Sequence, residues 1–139
     1  TRNSVDFLIE DARNVLSISL EWAEKFKAMA EGMLSIAIPE SSNRLDKVLE
    51  AAFPIRTDAS DLQKRNHDET ITLVRSIYNN DKNVKAVGAN GWAAYNAVVE
   101  YLDHFRPGTP EERALTVLDD TSWVVKTKIA AQQAVLSFV

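Results

Sequence analysis

Apolar residues near the start of the chain recur in alternating steps of four and three. Leu8, Ala12, Val15, Ser19, Trp22, Phe26, Met29 and Met33 form a heptad seam. Val5, Ile9, Leu16, Ala23, Ala30 and Leu34 widen that seam into the broad stripe a bundle helix needs. Asn3 or Ser4 is a good N-cap, and Pro39 forces the residue before it out of helical geometry. The pattern predicts one long amphipathic helix between these limits. Glu21 and Lys25, four apart in the favourable order, support it. A helix of this length needs partners throughout, either other helices of this chain or a second subunit.

Beyond the Pro39–Ser42 loop the pattern predicts shorter helices. Ser42 or Asn43 caps a helix with Leu45, Val48, Leu49, Ala52 and Phe53 inside, and Pro54 stops it. A third helix is expected from Thr57 or Asp58 to about Asn79. Its first half is polar, carrying only Leu62, and is exposed or lines a groove; its second half buries Ile71, Val74, Ile77 and Tyr78. Asn79–Asn83 is turn-rich, and Val84–Val87 is a helical turn or an isolated strand. Asn90 caps a helix from Gly91 to Phe105, with Tyr95, Val98, Val99, Leu102 and Phe105 inside. Thr109-Pro110-Glu111-Glu112 opens another, ending near Leu118 or Asp119. Asp120, Thr121 or Ser122 opens the last, with Trp123, Val125, Ile129, Ala130, Val135 and Leu136 inside. The fold expected is all-α: a bundle of about six helices around the long first one.

Length and composition narrow this picture. A chain of 139 residues is read as a single helical domain over 1–139, and 45% hydrophobic content is ordinary for one. The start without methionine and the apolar end Leu136-Ser137-Phe138-Val139 suggest a piece of a longer protein. The absence of cysteine excludes disulfides, thiolate metal sites and cysteine nucleophiles. No apolar run is long enough for a membrane helix, and a cytoplasmic location is expected. A net charge of -4, with basic residues scattered among acidic ones, disfavours a nucleic-acid surface without removing a small one.

Candidate chemistry is sparse. Glu100 and His104 share a helix face with Asp103 beside them, and His67 lies on the polar half of the third helix. Carboxylates and imidazoles suit a divalent metal, so these four are candidate ligands. The paired Glu-x-x-His pattern of di-metal bundles is missing, and a dipole-facing His104 and a solvated His67 are the simpler readings. Gly88-Ala89-Asn90-Gly91 is a tight turn with an asparagine cap rather than a phosphate loop. Trp22, Trp92 and Trp123 read as core or interface anchors, since base stacking needs basic neighbours. No cofactor is expected.

The stretch from Gly88 to Arg106, GANGWAAYNAVVEYLDHFR, resembles part of a phage- and plasmid-borne family, domain of unknown function 932. The shared features are a small-residue turn and tryptophan, an Asn-Ala pair, Glu-Tyr and Asp-His, after a long N-terminal helix and before a closing helix with lysines. The residues matching the motif are Trp92, Asn96, Glu100, Tyr101, Asp103, His104 and Arg106. The resemblance is to the family's C-terminal helical region. It implies phage or mobile-element biology, linked to DNA metabolism or host takeover, but no reaction and no catalytic residue. Trp92, Asn96, Glu100 and Asp103 are expected on one side of the helix, with Tyr101 beside them. Such polar groups form a buried network that fixes the helix or a recognition surface, and the network is favoured. The expected function is a non-enzymatic interaction or oligomerisation module, with a protein partner or second copy on the long helix. A metal-dependent enzyme and a nucleic-acid accessory domain are the alternatives.

Overall fold

The computed structural model describes residues 20–21, 23–112 and 123–139. The chain divides into two compact units, Thr1–Gly32 and Met33–Val139. Residues 20–21 and 23–34 are helical, and we call 23–34 α1. The expected start at Asn3 or Ser4, and the seam positions before Leu20 together with Trp22, lie outside the described residues. So do the expected helix end at Leu118 or Asp119 and the start at Asp120–Ser122.

The described residues are all-α, with no strand among the named elements. After α1 come α2 (Arg44–Ala52), α3 (Asp61–Asn80), α4 (Lys82–Val87), α5 (Gly91–Glu100), a π turn (Tyr101–Phe105) and α6 (Trp123–Leu136). Within the Met33–Val139 unit α5 is the hub, packed against α2, α3, α4 and α6. α2 follows the expected pattern at Leu45, Val48, Leu49 and Ala52, which are buried, but it stops at Ala52, two residues before Pro54, so the expected Phe53 lies past its end and is half-buried. Asn43 stands at its N-cap without a side-chain cap bond, and the Ser42 hydroxyl accepts from Arg44 N–H instead, at 3.4 Å. Val48 and Leu49, each at most 1% exposed, would contribute about 1.5–3 kcal/mol apiece by burial.

α3 begins later than expected. Ser60, rather than Thr57 or Asp58, is the N-cap, because Ser60 and Gln63 form a capping box. Ser60 Oγ accepts from Gln63 N–H at 3.2 Å, and Gln63 Oε1 accepts from Ser60 N–H at 2.9 Å. Most of the first half of α3 is exposed, including Leu62, with His67 and Thr70 half-buried, whereas Val74 and Ile77 are buried. Ile71 and Tyr78 are half-buried. The Tyr78 hydroxyl donates to the Ile38 carbonyl at 3.2 Å, and burial raises its pKa. Arg75 ties α3 to Asp46 on α2 at 2.5 Å. Val84–Val87 belongs to a helix, α4, capped by the Asp81 carboxylate.

The chain after α1 runs extended through buried Ile36 and Ile38, where Ala37 forms an antiparallel bridge with Asn90. Gly91 N–H donates to the Ile36 carbonyl at 2.8 Å, and Ile38 N–H donates to the Ala89 carbonyl at 3.0 Å. This strap fixes the entry of α5. It also presses the Met33 carbonyl to 2.8 Å of where a β-carbon on Gly91 would stand, and Val135 Cγ1 is closer still.

The buried face of α6 is Val124, Ala131 and Val135. The expected face included Trp123 and Ile129, but these are exposed, at 51% and 45%. The helix is turned so that Lys128 shares the face of Val124, Ala131 and Val135, and its side chain is only 18% exposed. The reason for that turn is the charge it meets.

Candidate functional site

The segment carrying the sequence motif starts at a firm cap. Asn90 Oδ1 accepts from Ala93 N–H, and its Nδ2 donates to the Val87 carbonyl, both at 2.9 Å. Gly88 provides the positive φ, 104°, that the preceding turn requires. α5 then buries a face of small residues, Gly91, Ala93, Ala94 and Ala97, followed by Val98. Tyr95 and Val99 are only half-buried. Small side chains let the helices around α5 approach closely.

At Tyr101 the helix changes register. Tyr101 N–H is shared between the carbonyls of Ala97 and Val98, and Arg106 N–H reaches back five residues to the Tyr101 carbonyl at 2.7 Å. Single π turns of this kind recur at functional sites. The extra residue swings Tyr101 inward, to 6% exposure, and leaves Phe105 48% exposed. Both differ from the sequence expectation, which placed Tyr101 beside the polar side and Phe105 in the core. A regular 3.6-residue period cannot anticipate a five-residue turn.

The motif residues meet specific partners. Trp92 stacks on Tyr95 with centroids 5.6 Å apart, and Asn96 Nδ2 donates back to the Trp92 carbonyl at 2.8 Å. Tyr101 sets its ring edge-on to Phe53 at 5.6 Å, and its hydroxyl lies 3.3 Å from Thr70 Oγ1. Asp103 accepts from Lys128 of α6 at 2.9 Å. Arg106 Nε donates to the Leu102 carbonyl at 3.1 Å, and its guanidinium lies over the Trp123 ring, 5.2 Å from the centroid. Burial first, and the Asp103 charge second, raise the pKa of Tyr95. The motif therefore joins α5 to α3 through Tyr101 and to α6 through Asp103 and Arg106.

The four candidate metal ligands do not form a set. Among the described residues no group of three histidine or carboxylate side chains is placed to hold a metal ion. His67 Nε2 lies 2.7 Å from the Phe53 carbonyl at the end of α2. A carbonyl only accepts, so that nitrogen carries the proton and is not a ligand. Asp103 is committed to Lys128, and His104 is exposed. Glu100 is half-buried. Nor is His67 the solvated side chain that the simpler reading expected: its side chain is 22% exposed and serves a helix end that needs a donor.

Beside the π turn lies an open cleft of about 370 Å³. Asn66, Glu69, Thr70 and Leu73 of α3 form one wall; Tyr101, Phe105 and Pro107 form the other. The sequence marks the polar half of α3 as a groove wall or an exposed face and the motif as a network or a surface, but it does not contain the fact that they face each other.

A comparison with protein families matches residues 2–135 to a family described as a domain of unknown function, number 932. No curated protein and no solved structure matches this chain.

Proposed function

This chain belongs to the family described as domain of unknown function 932, and from that premise we propose that it is a non-enzymatic interaction or oligomerisation module of a phage or mobile-element protein. Its setting in this reading is DNA metabolism or host takeover in the cytoplasm of an infected or plasmid-bearing bacterium. The contact surface in this reading is the long N-terminal helix that the heptad seam predicts, toward whose end α1 stands.

One observation carries the reading. Leu20, Ala23 and Phe26 are exposed and recur every three residues, with half-buried Ala30 four further on. Leu20 is 58% exposed and Phe26 38%. These residues fall along one side of a helix, which is the form a partner helix recognises. Of the motif's polar groups, Asn96, Tyr101, Asp103 and Arg106 are each tied to a separate partner within the chain, which supports a role in orienting helices. No described helix is long and apolar enough to cross a membrane. The charge of -4 keeps nucleic acid the less favoured partner.

Light scattering on the full chain tests the proposal. The expected result is a mass above the 15.5 kDa of one chain, returning to the monomer value when Leu20 and Phe26 are both replaced by lysine. A strict monomer at high concentration would sink the self-association.

A further inference from the structure

We propose that the cleft between α3 and the π turn receives an arginine or lysine side chain presented by a basic partner protein. The inference deepens the interaction reading above and rests on it, but it concerns a different surface from the long helix.

The walls suit a long cationic side chain. Phe105, 48% exposed, and Leu73, 37% exposed, offer apolar surface to an aliphatic stem. The open ring of Phe105 can also face a cation. The charged group in the lining is Glu69, which is exposed and has no ion-pair or hydrogen-bond partner among the described residues. Its situation contrasts with Asp46 and Asp103, which are held by Arg75 and Lys128. The Asn66 side chain is likewise uncommitted among the described residues and can accept from a guanidinium or ammonium group. Tyr101 and Thr70 close the floor by bonding each other. The cleft thus offers a carboxylate, an amide and apolar walls; Lys64 and Arg65 line the neighbouring depression that Glu69 and Leu73 also border, offset there by Asp61 and Asp68. That chemistry selects a positive side chain. The chain's own charge of -4 opposes a second copy at this site and favours a basic partner.

Calorimetric titration of the full chain with a dodecapeptide of alternating arginine and glycine tests this. A second peptide, with citrulline in place of arginine, keeps the shape and removes the charge. The arginine peptide is expected to bind saturably, about fivefold more tightly than the citrulline peptide. Glu69→Gln and Phe105→Ala should each weaken it about two- to fivefold, Phe105→Trp should preserve it, and Glu50→Gln on α2 should change nothing. Circular dichroism establishes that each variant is folded, and Phe105→Leu serves if the alanine variant is not. Equal binding of both peptides, no saturable binding, or full binding by Glu69→Gln overturns the proposal. So does concentration-dependent burial of Phe105 in the peptide-free protein, which would mean that a second copy occupies the cleft. A monomer that still binds the arginine peptide removes only self-association. An oligomer dissolved by the Leu20 and Phe26 substitutions but blind to the peptide removes only the cleft.

Discussion

The two halves of the motif segment are held by opposite means. From Gly91 to Glu100 the chain is fixed by closeness: glycine and alanines against neighbouring helices, with the strap of Ile36–Ile38 hydrogen-bonded to its entry. From Tyr101 to Phe105 it is fixed by reach: one phenol extended to α3 and one carboxylate extended to a lysine of α6. The first half packs closely along its face of small residues. The second half spans gaps, and one of those gaps remains open as the cleft. Tight packing of small residues makes a scaffold, whereas a few long polar fasteners make a place where something else can enter.

The sharpest way to break this contrast is at Gly91. Gly91→Ala sets a β-carbon against the Met33 carbonyl at 2.8 Å and still closer to Val135 Cγ1. Its φ is not positive, so space alone is at issue. Urea denaturation is expected to show a loss of about 3 kcal/mol, and a loss below about 0.5 kcal/mol would mean that the first half is not held by closeness. The second half should respond less. Lys128→Met removes the ammonium that holds Asp103 in a site where the carboxylate's side chain is 26% exposed, for a loss of about 2 kcal/mol. Replacing Asp103 by leucine in the same chain should restore part of that loss. A double-mutant cycle with no coupling would show that the pair is not a fastener.

The smallest effect concerns the link between the halves. Tyr95 stands in the first half, yet the Asp103 carboxylate of the second adds to the burial that raises its pKa above the ordinary 10. The folded protein then holds this proton more tightly than the unfolded chain does. The corresponding stability is fully present below pH 10 and is lost as pH rises through and beyond that value. Tyr95→Phe should flatten the decline in unfolding free energy between neutral and strongly alkaline pH. An unchanged slope would mean that folding does not raise the Tyr95 pKa.

How much of this was legible depends on which interactions are local. The α2 face of Leu45, Val48, Leu49 and Ala52, the Asn90 cap and the stop before Pro54 follow from neighbours within a turn or two, and the pattern contains them. The start of α3 was also written locally, in Ser60 and Gln63, but the polar residues just before it competed as caps. The face of α6 was not legible from hydrophobicity alone. Its inward side includes Lys128, whose burial makes sense only once Asp103 stands opposite. Trp123 and Ile129 outweighed Val124 and Ala131 in apolar bulk and pointed the wrong way. Tyr101 was misplaced for a related reason: a π turn has no period, and the hydroxyl that Tyr101 meets is on Thr70, far away in sequence.

The register change at Tyr101 sets a rule for chain length. A π turn amounts to one residue inserted into an α-helix. Deleting one residue between Tyr101 and Phe105 lets that turn close as an ordinary α turn, so the chain beyond it keeps its direction. The cost falls on the side chains inside the turn: removing Leu102 would carry the carboxylate of Asp103 around the helix and away from Lys128. A chain one residue shorter here keeps the fold but needs a different hold on its last helix.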